Sequence, residues 1–99
     1  MIVIKNKKTY SGPGHYIGRP SILQNLCRIT PFVTRAQAID SYRKYFFEQL
    51  QVNQELQVKV MELIYEYTAT GKLTLICWCH PQPCHGDIIK EFIIDFVEN

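Results

Sequence analysis

The chain is predicted to form a small α/β domain with a short, mostly parallel sheet flanked by about three helices. Three observations lead there. "MIVIK" at the start and "KLTLICWC" at residues 72–79 are unbroken apolar runs of strand length, as in strands buried inside parallel sheets. Between them lie two stretches with apolar residues three or four apart, so the crossover that a parallel pair needs is helical. A third such stretch follows a proline-rich turn and closes the chain. Ninety-nine residues hold one hydrophobic core, so residues 1–99 read as a single domain.

Ile2, Val3 and Ile4 do not alternate with polar residues, which predicts a first strand covered on both faces. From Asn6 to Phe32 the chain is irregular, punctuated by Gly12, Pro13, Gly14, Gly18, Pro20 and Pro31, with room for a short strand at "HYIGR". A loop this long in a compact domain often carries function. In "TRAQAIDSYRKYFFEQL", Thr34 and Gln37 fit a capping box, and Ile39, Tyr42, Phe46 and Leu50 share one face. Asn53 suits the cap of a second helix with the stripe Leu56, Val60, Leu63, Ile64 and Tyr67, and Gly71 suits its exit. The strand at 72–79 follows, then the turn "PQPCHG". The last helix, "DIIKEFIIDFVEN", is expected to turn Ile88, Ile89, Phe92, Ile93 and Phe96 inward and Lys90, Glu91 and Asp95 outward.

The composition, 46% hydrophobic and 20% charged, excludes a disordered chain. No apolar run approaches the roughly 20 residues that cross a bilayer, and the N-terminal lysines follow the apolar residues, the reverse of a secretory signal. A cytoplasmic protein without a membrane partner is expected. There a cysteine cluster points to metal, to a reactive thiol or to inert core more than to disulfides. Charge is unevenly distributed: residues 1–44 carry a net +7 and residues 45–99 a net −5. The basic first half either meets an anion, nucleic acid among them, or spreads over solvated surface.

Two segments leave the predicted strand ends, where open α/β sheets bind ligands. The first is "LICWCHPQPCHGDII" at 75–89. On a strand running through Cys79, Cys77 and Cys79 would share a face, about 6.6 Å apart. Pro81 and Pro83 then end the ladder, and Cys84, His85, Gly86 and Asp87 open the last helix. Free N–H groups and a partial positive charge there favour a thiolate or a bound anion. Cys84, His85 and Asp87 are therefore the candidate catalytic groups, with Asp87 equally suited to capping. Zinc, the candidate cofactor, would take Cys77, Cys79 and Cys84 with His80 or His85, although structural zinc ligands usually come as two separated pairs. Covalent thiol catalysis would use Cys84 or Cys79 with His80, His85 or His15 as base. No arginine follows the cysteines of this turn, as a phosphatase-type loop requires, and there is no C-x-x-C redox pair. The plain alternative makes Cys77 and Cys79 small core residues.

The second segment is "GHYIGRPSILQN" at 14–25. Gly18 permits a close backbone approach, Arg19 offers a fork for phosphate or carboxylate, Tyr16 could stack on a base, and Ser21 and Asn25 could hydrogen-bond one. The alternative is a loop pinned by Tyr16 and Ile17, with Arg19 in a structural ion pair.

"YIGRPS" with a following Asn, "TRAQAIDSYRKYF" and "CWCHPQPCHGDII" together resemble an uncharacterised bacterial and phage family, domain of unknown function 4326. The resemblance spans nearly the whole chain. It falls on Tyr16, Ile17, Gly18, Arg19, Ser21 and Asn25, and on Cys77, Trp78, Cys79, Pro81, Cys84, His85, Gly86 and Asp87. Pro20 replaces a frequent Gly, "LQNLCRI" replaces "LGNPF", and His80 replaces a usual Ala. The resemblance implies a phage or bacterial cytoplasmic setting, a short α/β pattern similar to Rossmann-like nucleotide-binding domains, and no particular activity.

The leading functional expectation is a pocket between the two motifs for an anionic, nucleotide-like small molecule, with enzymatic turnover left open. Its ligand-binding residues would be Tyr16, Gly18, Arg19, Ser21, Asn25, Trp78, Cys84, His85, Gly86 and Asp87. Alternatives are a phage-encoded binder of a host or defence protein, and a zinc-stabilised module touching nucleic acid.

Overall fold

The computed structural model describes residues 1–26 and 29–98; Cys27, Arg28 and Asn99 lie outside the described residues. Strands β1 (Ile2–Asn6), β2 (His15–Tyr16) and β3 (Leu73–Cys77) alternate along the chain with helices α1 (Arg35–Val52), α2 (Gln54–Thr70) and α3 (Gly86–Glu98), in the order β1, β2, α1, α2, β3, α3. The strands form one sheet in the order β1-β3-β2, and both pairings are parallel. This is the small α/β fold the sequence predicts, with β2 as the short strand at "HYIGR".

The helix boundaries follow from their caps. Thr34 and Gln37 close the predicted capping box: the Gln37 amide donates to Thr34 Oγ1 at 3.1 Å and the Thr34 amide to Gln37 Oε1 at 2.9 Å. Asn53 ends one helix and starts the next, its amide donating to the Gln49 carbonyl at 2.8 Å while its Oδ1 accepts from Leu56 N at 3.1 Å. Gly71 leaves α2 with φ of 73°, a left-handed turn that favours glycine.

One hydrophobic cluster joins Ile2 and Ile4 of β1, Leu73, Leu75 and Cys77 of β3, Tyr42 and Phe46 of α1, Leu56, Val60 and Leu63 of α2, and Ile88, Ile89 and Ile93 of α3. The strand residues in it are alternate ones, so the helices cover the face they share. Val3 and Thr74 point the other way and are half-buried, and Lys5 is exposed. The expectation that the first strand is covered on both faces is therefore corrected. β1 is an edge strand, and its unbroken apolar run buries only one side.

Two further expectations change. β3 ends at Cys77, so Trp78 and Cys79 belong to the turn and Cys79 does not stand beside Cys77 on a pleated strand. Phe96 is exposed rather than inward, because the whole last turn of α3, residues 95–98, runs past the elements it packs on. None of the helices formed by the described residues is long and apolar enough to cross a membrane.

Candidate functional site

The carboxyl ends of the strands meet at a cleft of about 360 Å³. β2 leads into Gly18 and Arg19, β3 into Cys77, Trp78 and Cys79, α1 contributes Arg35, Ala38 and Ile39, and the residues before α3 contribute Pro83, Cys84 and His85. Asn25 and Ile29 of the long loop complete the wall. Segments far apart in sequence thus converge on one rim, and Arg19 and Cys84 face the same space.

Short polar contacts hold the rim together. Asn6, at the end of β1, donates through Nδ2 to the carbonyls of Trp78 at 3.1 Å and His80 at 2.7 Å, which pins the cysteine turn to the sheet. Arg19 donates from Nε at 2.8 Å and from Nη2 at 2.5 Å to the Asn25 carbonyl. Arg35 Nη1 donates to the Pro83 carbonyl at 3.1 Å. Both guanidiniums rest on neutral oxygens. Among the described residues neither is paired with a carboxylate, and the cleft wall holds two arginines and no Asp or Glu.

The start of α3 is closed by its own groups. The Cys84 amide donates to Asp87 Oδ2 at 3.0 Å, and the Gly86 amide donates to Cys84 Sγ at 3.3 Å. The Asp87 carboxylate thus caps one backbone amide and the Cys84 sulfur, in place of the usual hydroxyl, caps another. Gly86 is buried, and a Cβ there would meet Ile17 Cδ1 at 2.9 Å and Cys84 Sγ at 3.2 Å. The helix start therefore packs directly on the chain that leads to Arg19. Two of the amides expected to greet an anion are spent inside the protein.

His85 is buried, and its Nε2 donates to the Ile17 carbonyl at 2.7 Å. A carbonyl only accepts, so Nε2 carries the hydrogen. The ring meets Tyr42 edge-on, 4.9 Å between centroids, and Tyr42 in turn donates to the Leu23 carbonyl at 2.8 Å. Burial holds the His85 pKa below its usual value, the hydrogen bond to Ile17 opposes that, and the nearby Arg19 charge adds to it. His85 is thus neutral near pH 7 and ties the Arg19 loop to α3.

Cys77 and Cys84 are both buried and free, with sulfurs 3.5 Å apart. The Cys84 S–H donates to Cys77, which pulls the Cys77 thiol pKa below its usual value; burial opposes this and backbone N–H groups of His80 and Cys79 assist it. The same hydrogen bond, followed by burial, raises Cys84. An S–H that donates to a neighbouring sulfur favours the neighbour's ionisation and holds its own proton more firmly, which explains the opposite directions.

The other predicted residues fall outside the cleft wall. Tyr16 donates from its hydroxyl to the Arg19 carbonyl and accepts there from Trp78 Nε1 at 2.9 Å, while Lys7 Nζ lies 5.3 Å from its ring centroid. It is a strut behind Trp78, whose own ring is half exposed. Ser21 Oγ is buried without a hydrogen-bond partner among the described residues. Gly86 supports by packing and Asp87 by capping. His15 is turned away, 2.8 Å from Glu66 on α2. Among the described residues, no group of three or more His, Cys, Asp or Glu is arranged to hold a metal ion.

Sequence reasoning assigned Arg35 to a helix and overlooked it as a site residue. A signal was present: a cation in a first helical turn opposes the helix dipole, so a basic opening turn without an acid is costly unless an anion meets it. Asn6 gave no comparable signal, because its role depends on pairing over seventy residues away.

A family model matches residues 2–95, and the chain belongs to that family, described as Domain of unknown function (DUF4326). No curated protein and no solved structure matches this chain.

Proposed function

We propose that this member of the DUF4326 family binds an anionic, nucleotide-like small molecule in the cleft at the carboxyl end of the sheet. The observation that carries the reading is the pair Arg19 and Arg35, which share a cleft with no carboxylate among the described residues of its wall. A guanidinium resting only on carbonyls keeps its charge uncompensated and its remaining N–H groups available, the state that favours phosphate. The first turn of α1 adds a partial positive charge and has no acid to offset it. Ile29, Ala38 and Ile39 supply an apolar wall, and the half-exposed indole of Trp78 supplies a flat surface for a ring. The cleft falls at the small end of the range for ligand sites, roughly 300–1,000 Å³, which suits one nucleotide better than a dinucleotide.

Binding is favoured over turnover as the core of the proposal. Cys84, His85 and Asp87, the candidate catalytic groups, are each engaged in capping or in joining elements.

The test is a thermal-shift and calorimetry panel of nucleosides and their mono-, di- and triphosphates. A phosphorylated member at a hundredfold excess over its Kd should stabilise the fold by about 2.7 kcal/mol, and the matching nucleoside by far less. Arg19→Ala and Arg35→Ala should each weaken binding by about 10- to 100-fold, the value of a lost charge-assisted hydrogen bond. No shift with any nucleotide, or unchanged affinity in both variants, removes the reading.

A further inference from the structure

The cysteine turn brings two thiols together that the sequence separates by six residues. Cys77 ends β3 and Cys84 caps α3, and their sulfurs lie 3.5 Å apart, in direct contact. Both residues line the cleft although little of either reaches bulk solvent. The cleft is therefore the route by which a small reagent would reach the pair. Cys79 lines the same cleft as a free, half-buried thiol, which makes it an internal control.

We propose that Cys77 and Cys84 form a modification site, a vicinal dithiol that a small hydroperoxide oxidises reversibly to an intramolecular disulfide. In the first step the Cys77 sulfur attacks one peroxide oxygen. The O–O bond breaks, an S–O bond forms, and the alkoxide or hydroxide that leaves takes up a proton to become alcohol or water. In the second step the Cys84 sulfur attacks the Cys77 sulfur. The S–S bond forms, the S–O bond breaks, and the departing hydroxide takes the Cys84 proton as water. Two thiols and one hydroperoxide thus give one disulfide, one alcohol or water, and one further water. A dithiol reductant returns the pair to its starting state.

The contact already present makes the second step fast relative to further oxidation of Cys77, because the resolving sulfur needs no chain rearrangement to reach its target. The hydrogen bond from Cys84, which eases ionisation of Cys77, favours Cys77 as the attacking sulfur. None of this depends on the nucleotide reading, and either can fail alone.

The experiment uses the full chain with Cys27→Ser and Cys79→Ser, exposed to hydrogen peroxide and then to dithiothreitol. Intact mass should fall by about 2 Da, for two hydrogens lost, and recover on reduction. Cleavage after Trp78 should leave the fragments bearing Cys77 and Cys84 joined until reductant is added. Adding Cys84→Ser should convert the mass loss into stepwise oxygen gain on Cys77. Should these variants fold poorly, the unaltered protein serves. Peroxide should then protect Cys77 and Cys84, and leave Cys79 open, to alkylation under denaturing conditions. Oxygen adducts with both cysteines unlinked, or a bridge from either to Cys79 or Cys27, would overturn the proposal.

Discussion

α1 and α3 both begin at the cleft, and they begin in opposite ways. α3 has an acid in its first turn, Asp87, which takes the Cys84 amide, and the residues around its start are buried. α1 has no acid in its first turn, and its first residue is Arg35, half-buried in the cleft wall. A helix start that carries its own carboxylate has already met its anion. One that carries a cation instead adds to the positive potential of its N-terminus, which an outside anion would offset. The difference teaches that the helix start packed by its own groups is α3, and that the one bringing uncompensated positive charge to the cleft is α1.

The largest way to break this comparison is steric. At Gly86 a Cβ would press on the terminal methyls of Ile17 and Ile4 and on the Cys84 sulfur, at 2.9 to 3.3 Å. Alanine can be absorbed by small shifts of those methyls and gains helix propensity. Gly86→Val adds two further methyls and should cost about 1–3 kcal/mol as overpacking. Its counterpart at the other helix, Ala36→Val, is exposed and should cost roughly 0.5 kcal/mol. Urea denaturation of the two variants measures the contrast, and equal losses would mean that the start of α3 is not the packed one.

The second way is by pH. His85 is held neutral by burial, so its folded pKa lies below the unfolded value of 6.5. The unfolded chain binds the proton more readily. His85 therefore contributes its full stability above about pH 6.5, and the contribution falls as pH drops from there through the folded pKa. One proton gives a slope of at most about 1.4 kcal/mol per pH unit. The unaltered protein should lose stability between pH 7.5 and 5.5, and His85→Gln should lose less over that range. Identical slopes would show that His85 is not the buried link between the Arg19 loop and α3.

Much of this was legible in the sequence because it is local. The capping box at Thr34 and Gln37, the capping of α2 by Asn53 and the exit at Gly71 are each set by residues within one turn. The two motifs on the cleft rim were also legible, because unusual residues cluster after the strands. Three things were not, since they depend on distant pairing. Cys77 meets Cys84 rather than Cys79 because the strand stops at Cys77 and the turn folds back, an end point that periodicity cannot fix. Tyr16 is a strut because Lys7 and Trp78 reach it from other elements. The one-sided burial of β1 depends on its place at the sheet edge, which an apolar run does not encode.

The smallest expected effect sharpens the comparison most directly. Asp87→Asn keeps an oxygen for the Cys84 amide and removes only the charge. Losing a carboxylate from a first turn costs about 0.3–1 kcal/mol of stability at an exposed site, so a small drop in the melting temperature should follow. The same change makes the neighbourhood of the cleft more positive. Affinity for the nucleotide that the panel identifies should therefore rise by a few-fold at low salt, and the gain should shrink as salt screens it. The mirror change at the other helix, Arg35→Gln, should move affinity in the opposite direction and by more, because Arg35 lies in the wall itself. If Asp87→Asn weakened binding instead, the carboxylate would be a ligand contact, and α3 rather than α1 would be the helix that faces the bound molecule.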